Sequence, residues 1–197
     1  MTNIYTRPHG HQPPSEALVA TMKSQLSWLS YHSLELSVLR LLVNLGYEQV
    51  SPLSRTFLRG RTNHAGIDMV AKHKTPLGIH SVVIQVKRRD SAISKSNVQQ
   101  FMGAMECYKA HSGILITTGI FAPPAIETAA LSDRPIQLID GDALARKMIG
   151  ARVGVRDVID PKTGAHHLEH LSEEFAALER ETDAQRRGLS CGIWGCD

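Results

Sequence analysis

Gly66-Ile67-Asp68-Met69-Val70-Ala71, followed beyond Lys72–Ser81 by Val82-Val83-Ile84-Gln85-Val86-Lys87, is the stretch on which the fold turns. Both runs are rich in β-branched residues, and Thr75-Pro76-Leu77-Gly78 between them is a turn signal, so together they read as a β-hairpin. A hairpin centred between Pro76 and Leu77 pairs Met69 with Ile84 and Asp68 with Gln85. Opposed residues leave the sheet on one face, and residues two apart share a face. That register gathers Asp68, Gln85 and Lys87 on one side, within reach of a single ion. Polar side chains inside runs that otherwise read as buried are the expected mark of a functional site.

The surroundings of this hairpin are basic. From Arg55 to Arg89 there are eight cations (Arg55, Arg59, Arg61, Lys72, Lys74, Lys87, Arg88, Arg89) against one acid, Asp68, in a chain whose formal net charge is only +3. Such a concentration suits a polyanion, each neutralised phosphate adding a salt-dependent share of affinity. At 197 residues the chain is long enough for one good core and short for two domains. No apolar run reaches the length of a membrane span, and residues 1–14, rich in Pro, His and Gly, lack the apolar core of a signal peptide. Three cysteines (Cys107, Cys191, Cys196) without a secretory signal predict a reducing cytoplasm.

Ahead of the hairpin, Ser15 caps a helix toward Leu29, and a second helix over Ser33–Leu45 carries Leu34, Val38, Leu41, Leu42 and Leu45 as one stripe before the stop at Gly46. Tyr47–Val50 reads as a first strand. Beyond it, Ser94 or Ser96 opens a helix to Ala110, Gly113–Thr117 is a buried strand, and Pro123 or Pro124 opens a helix to Leu131. Pro135–Ile139 is a further strand, and Asp140 caps a helix from Asp142 to Ile149. Alternating strands and helices imply a parallel portion, so the expected class is α/β: a mixed central sheet flanked by helices. Arg152–Ile159 with Ala165–His170 forms an appended hairpin, and Ser172–Arg187 a charged helix with Phe175, Leu178 and Ala177 on its apolar stripe. The division this suggests is an N-terminal segment and helix (1–32), a core (33–150), the hairpin and helix (151–187) and a tail (188–197).

In order, Leu34-Glu35, Leu45-Gly46-Tyr47, Gly66-Ile67-Asp68, Gln85-Val86-Lys87, Gln99-Gln100-Phe101-Met102-Gly103-Ala104, Ile116-Thr117-Thr118-Gly119 with Phe121, and Leu138-Ile139-Asp140-Gly141 make a specific series. Val153-Gly154-Val155-Arg156 and Glu174-Phe175 extend it. The series resembles the Mrr-type restriction endonucleases of the PD-(D/E)xK nuclease superfamily over Ser33–Phe175. The resemblance implies an αβββαβ core and divalent-metal-dependent cleavage of double-stranded DNA, as in type IV restriction and defence. It implies Asp68 as central metal ligand, Gln85 as a neutral carbonyl ligand where most of the superfamily has Glu, Lys87 beside the attacking water, and Glu35 reaching in from the first core helix. Gln-x-Lys is itself typical of the Mrr branch.

The expected ion is Mg²⁺, with Mn²⁺ as substitute, since Mg²⁺ favours octahedral oxygen ligands at roughly 2.0–2.1 Å. Gln in place of Glu predicts weak Mg²⁺ affinity without DNA. Arg59, Arg61, Arg88, Arg89 and Gln99 are the candidate DNA contacts. His64 reads as a loop histidine, and the spacing of His166, His167, His170, Cys191 and Cys196 fits no zinc pattern. About thirty residues precede the core, too few for the winged-helix reader of full-length Mrr proteins, which leaves methylation dependence open. A structure-specific nuclease such as a Holliday-junction resolvase, and a non-cutting DNA-binding module of the same fold, are the alternatives. A double-strand break needs two centres, which suggests a homodimer through the last helix or the second hairpin.

Overall fold

The structure, a computed structural model, describes residues 14–53, 66–76, 78–159, 161–162 and 166–186. Helix α1 (Glu16–Trp28) starts where Ser15 Oγ accepts from Leu18 N–H at 3.3 Å. Helix α2 (Tyr31–Asn44) begins two residues before the expected Ser33, because Ser30 supplies the cap. It ends as expected at Gly46, whose φ of +87° a side chain would strain. Strand β1 (Glu48–Pro52) lies slightly later than the Tyr47–Val50 reading. The hairpin follows as β2 (Met69–Thr75) and β3 (Gly78–Lys87), paired from Thr75–Gly78 through Met69–Ile84 in the expected register.

Next come α3 (Lys95–Cys107), capped by Ser94, β4 (Ser112–Thr117), α4 (Pro123–Ala130), β5 (Ile136–Ile139) and α5 (Gly141–Gly150), capped by Asp140. The five strands form one mixed sheet in the order β1-β2-β3-β4-β5. The first two pairings are antiparallel, and the β3–β4 and β4–β5 pairings are parallel. The two parallel pairs require the α3 and α4 crossovers.

Strand alternation divides the core into two layers. Met69, Ala71, Val82, Ile84 and Val86 face α1, α2 and α5 (Met22, Leu34, Leu41, Leu144, Met148), whereas Val83 and Leu115 face α3 and α4 (Phe101, Ala125). Beyond α5, β6 (Val155–Ile159) and β7 (His166–His170) make a separate two-stranded sheet, and α6 (Ser172–Arg186) returns to the core. Phe175 and Leu178 are buried against the first layer as expected, but Ala177 is exposed, and the third inward residue is Thr182. Among the described residues no helix is long and apolar enough to cross a membrane.

Candidate active site

At the end of the sheet where β2 enters and β3 leaves, the hairpin ladder shifts by one residue. Strict pairing would set Asp68 against Gln85, yet the Asp68 N–H donates to Ile84 O at 2.9 Å, the carbonyl already opposite Met69. A step of this kind behaves as a β-bulge, re-aiming the side chain at the point of irregularity. The Asp68 carboxylate therefore turns along β3, where its Oδ2 accepts from Val86 N–H at 2.7 Å, and toward α2, where Tyr31 and Glu35 act on it. Period-two alternation alone does not describe its position.

Glu35 is 1 % exposed, unlike an ordinary helical Glu, and its Oε2 lies 3.6 Å from Nδ1 of the equally buried His32. Asp68 is 8 % exposed. Burial pushes its carboxyl from 3.8 up to about 7, with the Glu35 charge adding to the rise, while the Val86 N–H, the Tyr31 hydroxyl and the Lys87 charge oppose it. Lys87 is half-buried, and its ammonium is held below the usual range by desolvation and then by Arg89, against the pull of Asp68.

Gln85 reaches the same place by another route. Its Nε2 donates to Gly66 O, two residues ahead of Asp68, which commits the nitrogen and leaves Oε1 as the atom to present to a ligand. Gly66 has φ +80°, which strains any residue with a Cβ, and a Cβ there would meet Gln85 Nε2 at 2.7 Å and push that amide aside. Where β3 ends, Thr118 N–H donates to Lys87 O at 3.2 Å and Arg89 N–H donates to Thr118 Oγ1 at 3.1 Å. Thr117 is buried and accepts from Gly119 N–H.

The structure thus brings Asp68, Glu35 and Lys87 into one electrostatic group, with Gln85 on the adjoining backbone. Arg88 is exposed but lends Nη1 to Leu29 O at 2.6 Å, and Arg89 and Gln99 are exposed. Arg59, Arg61 and His64 lie outside the described residues, as do Cys191 and Cys196. Sequence reasoning missed Tyr31, whose hydroxyl donates to Val86 O at 2.9 Å and reaches Asp68. The available signal was its spacing, one helical turn before Glu35 on the same face.

Whether this site suits a divalent cation can be judged from its donors. Two buried carboxylates repel one another, and an amide carbonyl is the other ligand candidate: an oxygen-only, electron-rich set of the kind hard cations take. Among the described residues no three His, Cys, Asp or Glu side chains gather as a metal-binding group.

The restriction endonuclease family Mrr_cat matches residues 26–148. The type IV methyl-directed restriction enzyme EcoKMrr of Escherichia coli (strain K12) is 33 % identical over 141 residues, 71 % of this chain. The chain spans less than half, 45 %, of that relative's length. Among solved structures, the DNA modification-dependent restriction endonuclease AspBHI aligns with 93 % of this chain and 44 % of its own (TM-score 0.57, 12 % identity). The MspJI restriction endonuclease in complex with a 27-mer oligonucleotide aligns with 91 % of this chain and 40 % of its own (TM-score 0.55, 21 % identity). At those identities the likeness speaks for the fold, while the family match and the 33 % relative speak for descent. By that measure the chain belongs to the Mrr_cat restriction endonuclease family.

Proposed function

We propose that this chain is a divalent-metal-dependent endonuclease that hydrolyses phosphodiester bonds of double-stranded DNA, acting in type IV restriction of foreign or modified DNA. The observation that carries the reading is the meeting of two buried carboxylates, Asp68 and Glu35, with the Lys87 ammonium at the strand ends. Burying like charges together costs stability, and a cation bound between them would offset that cost. EcoKMrr is named a methyl-directed restriction enzyme, which supports the choice of substrate class.

Asp68 and Gln85 would hold Mg²⁺, or Mn²⁺ in its place, with Glu35 as the second carboxylate. When bound, the cation supplies charge neutralisation at the scissile phosphate. The chain's own groups do the rest. Lys87, beside Asp68, orients the attacking water and offsets charge accumulating on the phosphate oxygens. Asp68, with its Oδ2 fixed by Val86 N–H, holds a set direction. Arg88 and Arg89, exposed just past Lys87, and Gln99, exposed on α3, contact the DNA backbone; Arg59 and Arg61, outside the described residues, are assigned to the same role from their charge alone. Two such centres in a homodimer would cut both strands.

The test is a panel of methylated plasmid, unmodified plasmid and four-way junction, each with Mg²⁺, Mn²⁺ or EDTA. Cleavage of methylated plasmid in the metal arms alone is the expected result. Cutting confined to the junction would overturn the restriction reading, and no metal-dependent cutting of any substrate would overturn the nuclease reading.

A further inference from the structure

The first turn of α2 is held on three sides. Arg88 Nη1 donates to Leu29 O at 2.6 Å from the end of β3. Ser30 N–H donates to Glu179 Oε1 at 2.5 Å, and Ser33 Oγ meets Thr182 Oγ1 at 2.9 Å, both partners lying on α6. The hydroxyl chain has one consistent direction. Thr182 spends its single proton on Leu178 O (2.8 Å), so it accepts from Ser33. Ser33 in turn accepts from Ser30 Oγ (2.9 Å), which takes the Ser33 N–H (3.2 Å). Ser33 and Thr182 are both fully buried, where an unmade hydrogen bond is expensive, so this turn has one placement.

What the turn presents to the site is Tyr31. Its hydroxyl donates to Val86 O, and Val86 N–H is held by Asp68 Oδ2, so both backbone groups of the residue between Gln85 and Lys87 are pinned by side chains. The same hydroxyl lies within hydrogen-bonding reach of Asp68. Fixing that residue fixes the directions in which Gln85 and Lys87 leave the strand.

Resting on the reading of Asp68, Gln85 and Lys87 as the hydrolytic site, we infer that Tyr31 is a positioning residue for it. We further infer that α6, which lies beyond the family match ending at residue 148, sets Tyr31 through Thr182 and Glu179. The C-terminal helix is then part of the site's framework, acting at a distance on the geometry of β3.

The experiment compares the full chain with Tyr31→Phe, Thr182→Val, Glu179→Ala (which removes the acceptor for Ser30 N–H) and the double variant Tyr31→Phe/Thr182→Val. Tyr31→Phe keeps the ring and removes only the hydroxyl. Expected are a kcat about tenfold or more lower with KM and DNA Kd within about twofold, and smaller losses of the same kind for the two α6 variants. The double variant should cut no more slowly than Tyr31→Phe alone, because α6 acts through Tyr31. A parental kcat in Tyr31→Phe, a matching loss of DNA affinity, or additive losses in the double variant would each overturn the inference. Amide hydrogen exchange gives a readout independent of cutting: Val86 and Lys87 should exchange about tenfold faster in Tyr31→Phe and in Thr182→Val. Exchange unchanged in both would overturn the positioning role even in a protein that cuts. Faster exchange in both variants, with a parent chain that cuts nothing, would uphold the positioning role and reject the nuclease reading alone.

Discussion

Replacing Asp68 by Asn should make the metal-free protein more stable, and the gain should depend on pH. The Asp68 carboxyl is raised from 3.8 to about 7, chiefly by burial and further by Glu35. A carboxyl with a folded-state pKa above its unfolded value binds its proton more tightly when folded. Its contribution is therefore fully present below the unfolded pKa, falls away as pH rises, and is gone above about pH 7. At roughly 1.36 kcal/mol per pKa unit the ionised form costs about 4 kcal/mol at most above neutrality. Asn keeps an oxygen for Val86 N–H and carries no charge to desolvate. Urea unfolding in EDTA at about pH 8 should give the variant a gain on the order of 2–4 kcal/mol, shrinking toward zero near pH 4. In a thermal scan at the upper pH this is roughly 4–16 °C for a chain of this size. A gain equal at all pH values would mean a packing effect. Destabilisation at about pH 8 would mean that the ionised carboxylate is net stabilising in the metal-free fold, and the reasoning would fail.

Gly66→Ala should combine a strained φ of +80° with a Cβ set 2.7 Å from Gln85 Nε2. The expected outcome is a loss of about 1–3 kcal/mol in denaturant unfolding together with slower cleavage; parental cleavage would dissociate Gln85 placement from activity. Gln85→Glu exchanges the donor that meets Gly66 O for a second acceptor. Without metal it should cost about 1–3 kcal/mol near neutral pH, and it should bind Mg²⁺ more tightly than the parent by calorimetry, with weaker binding counting against Gln85 as a ligand. Phe175→Ala empties a fully buried site shared by α6 and the core and should cost about 3–5 kcal/mol by urea titration, whereas a loss under about 1 kcal/mol would show α6 loosely attached.

Much of the scaffold was legible because its signals are local. Ser15, Ser94 and Asp140 cap helices, Gly46 stops one, and the turn at Thr75–Gly78 sets the hairpin register through Met69–Ile84. The one-residue shift at Asp68 was not legible, since a bulge leaves no mark in a period-two pattern. It turns Asp68 toward α2 and makes Glu35 and Tyr31 its neighbours. Glu35 could be named from the order of motifs, but its burial beside His32 depends on packing over the sheet. Least visible were Ser30–Glu179 and Ser33–Thr182, each joining residues 149 apart, which no window of sequence can pair. Thr182 in place of Ala177 on the inner side of α6 follows from the same contact, since the hydroxyl is buried to meet Ser33.

The most direct test of the central claim, a cation-dependent hydrolytic site built on Asp68 and Lys87, is plasmid cleavage by Asp68→Ala and Lys87→Ala beside the parent chain in Mg²⁺ or Mn²⁺, with DNA affinity measured in parallel. Both variants should lose cleavage by about a hundredfold or more while binding DNA within about threefold of the parent. Cleavage at the parental rate by either variant would contradict the assignment.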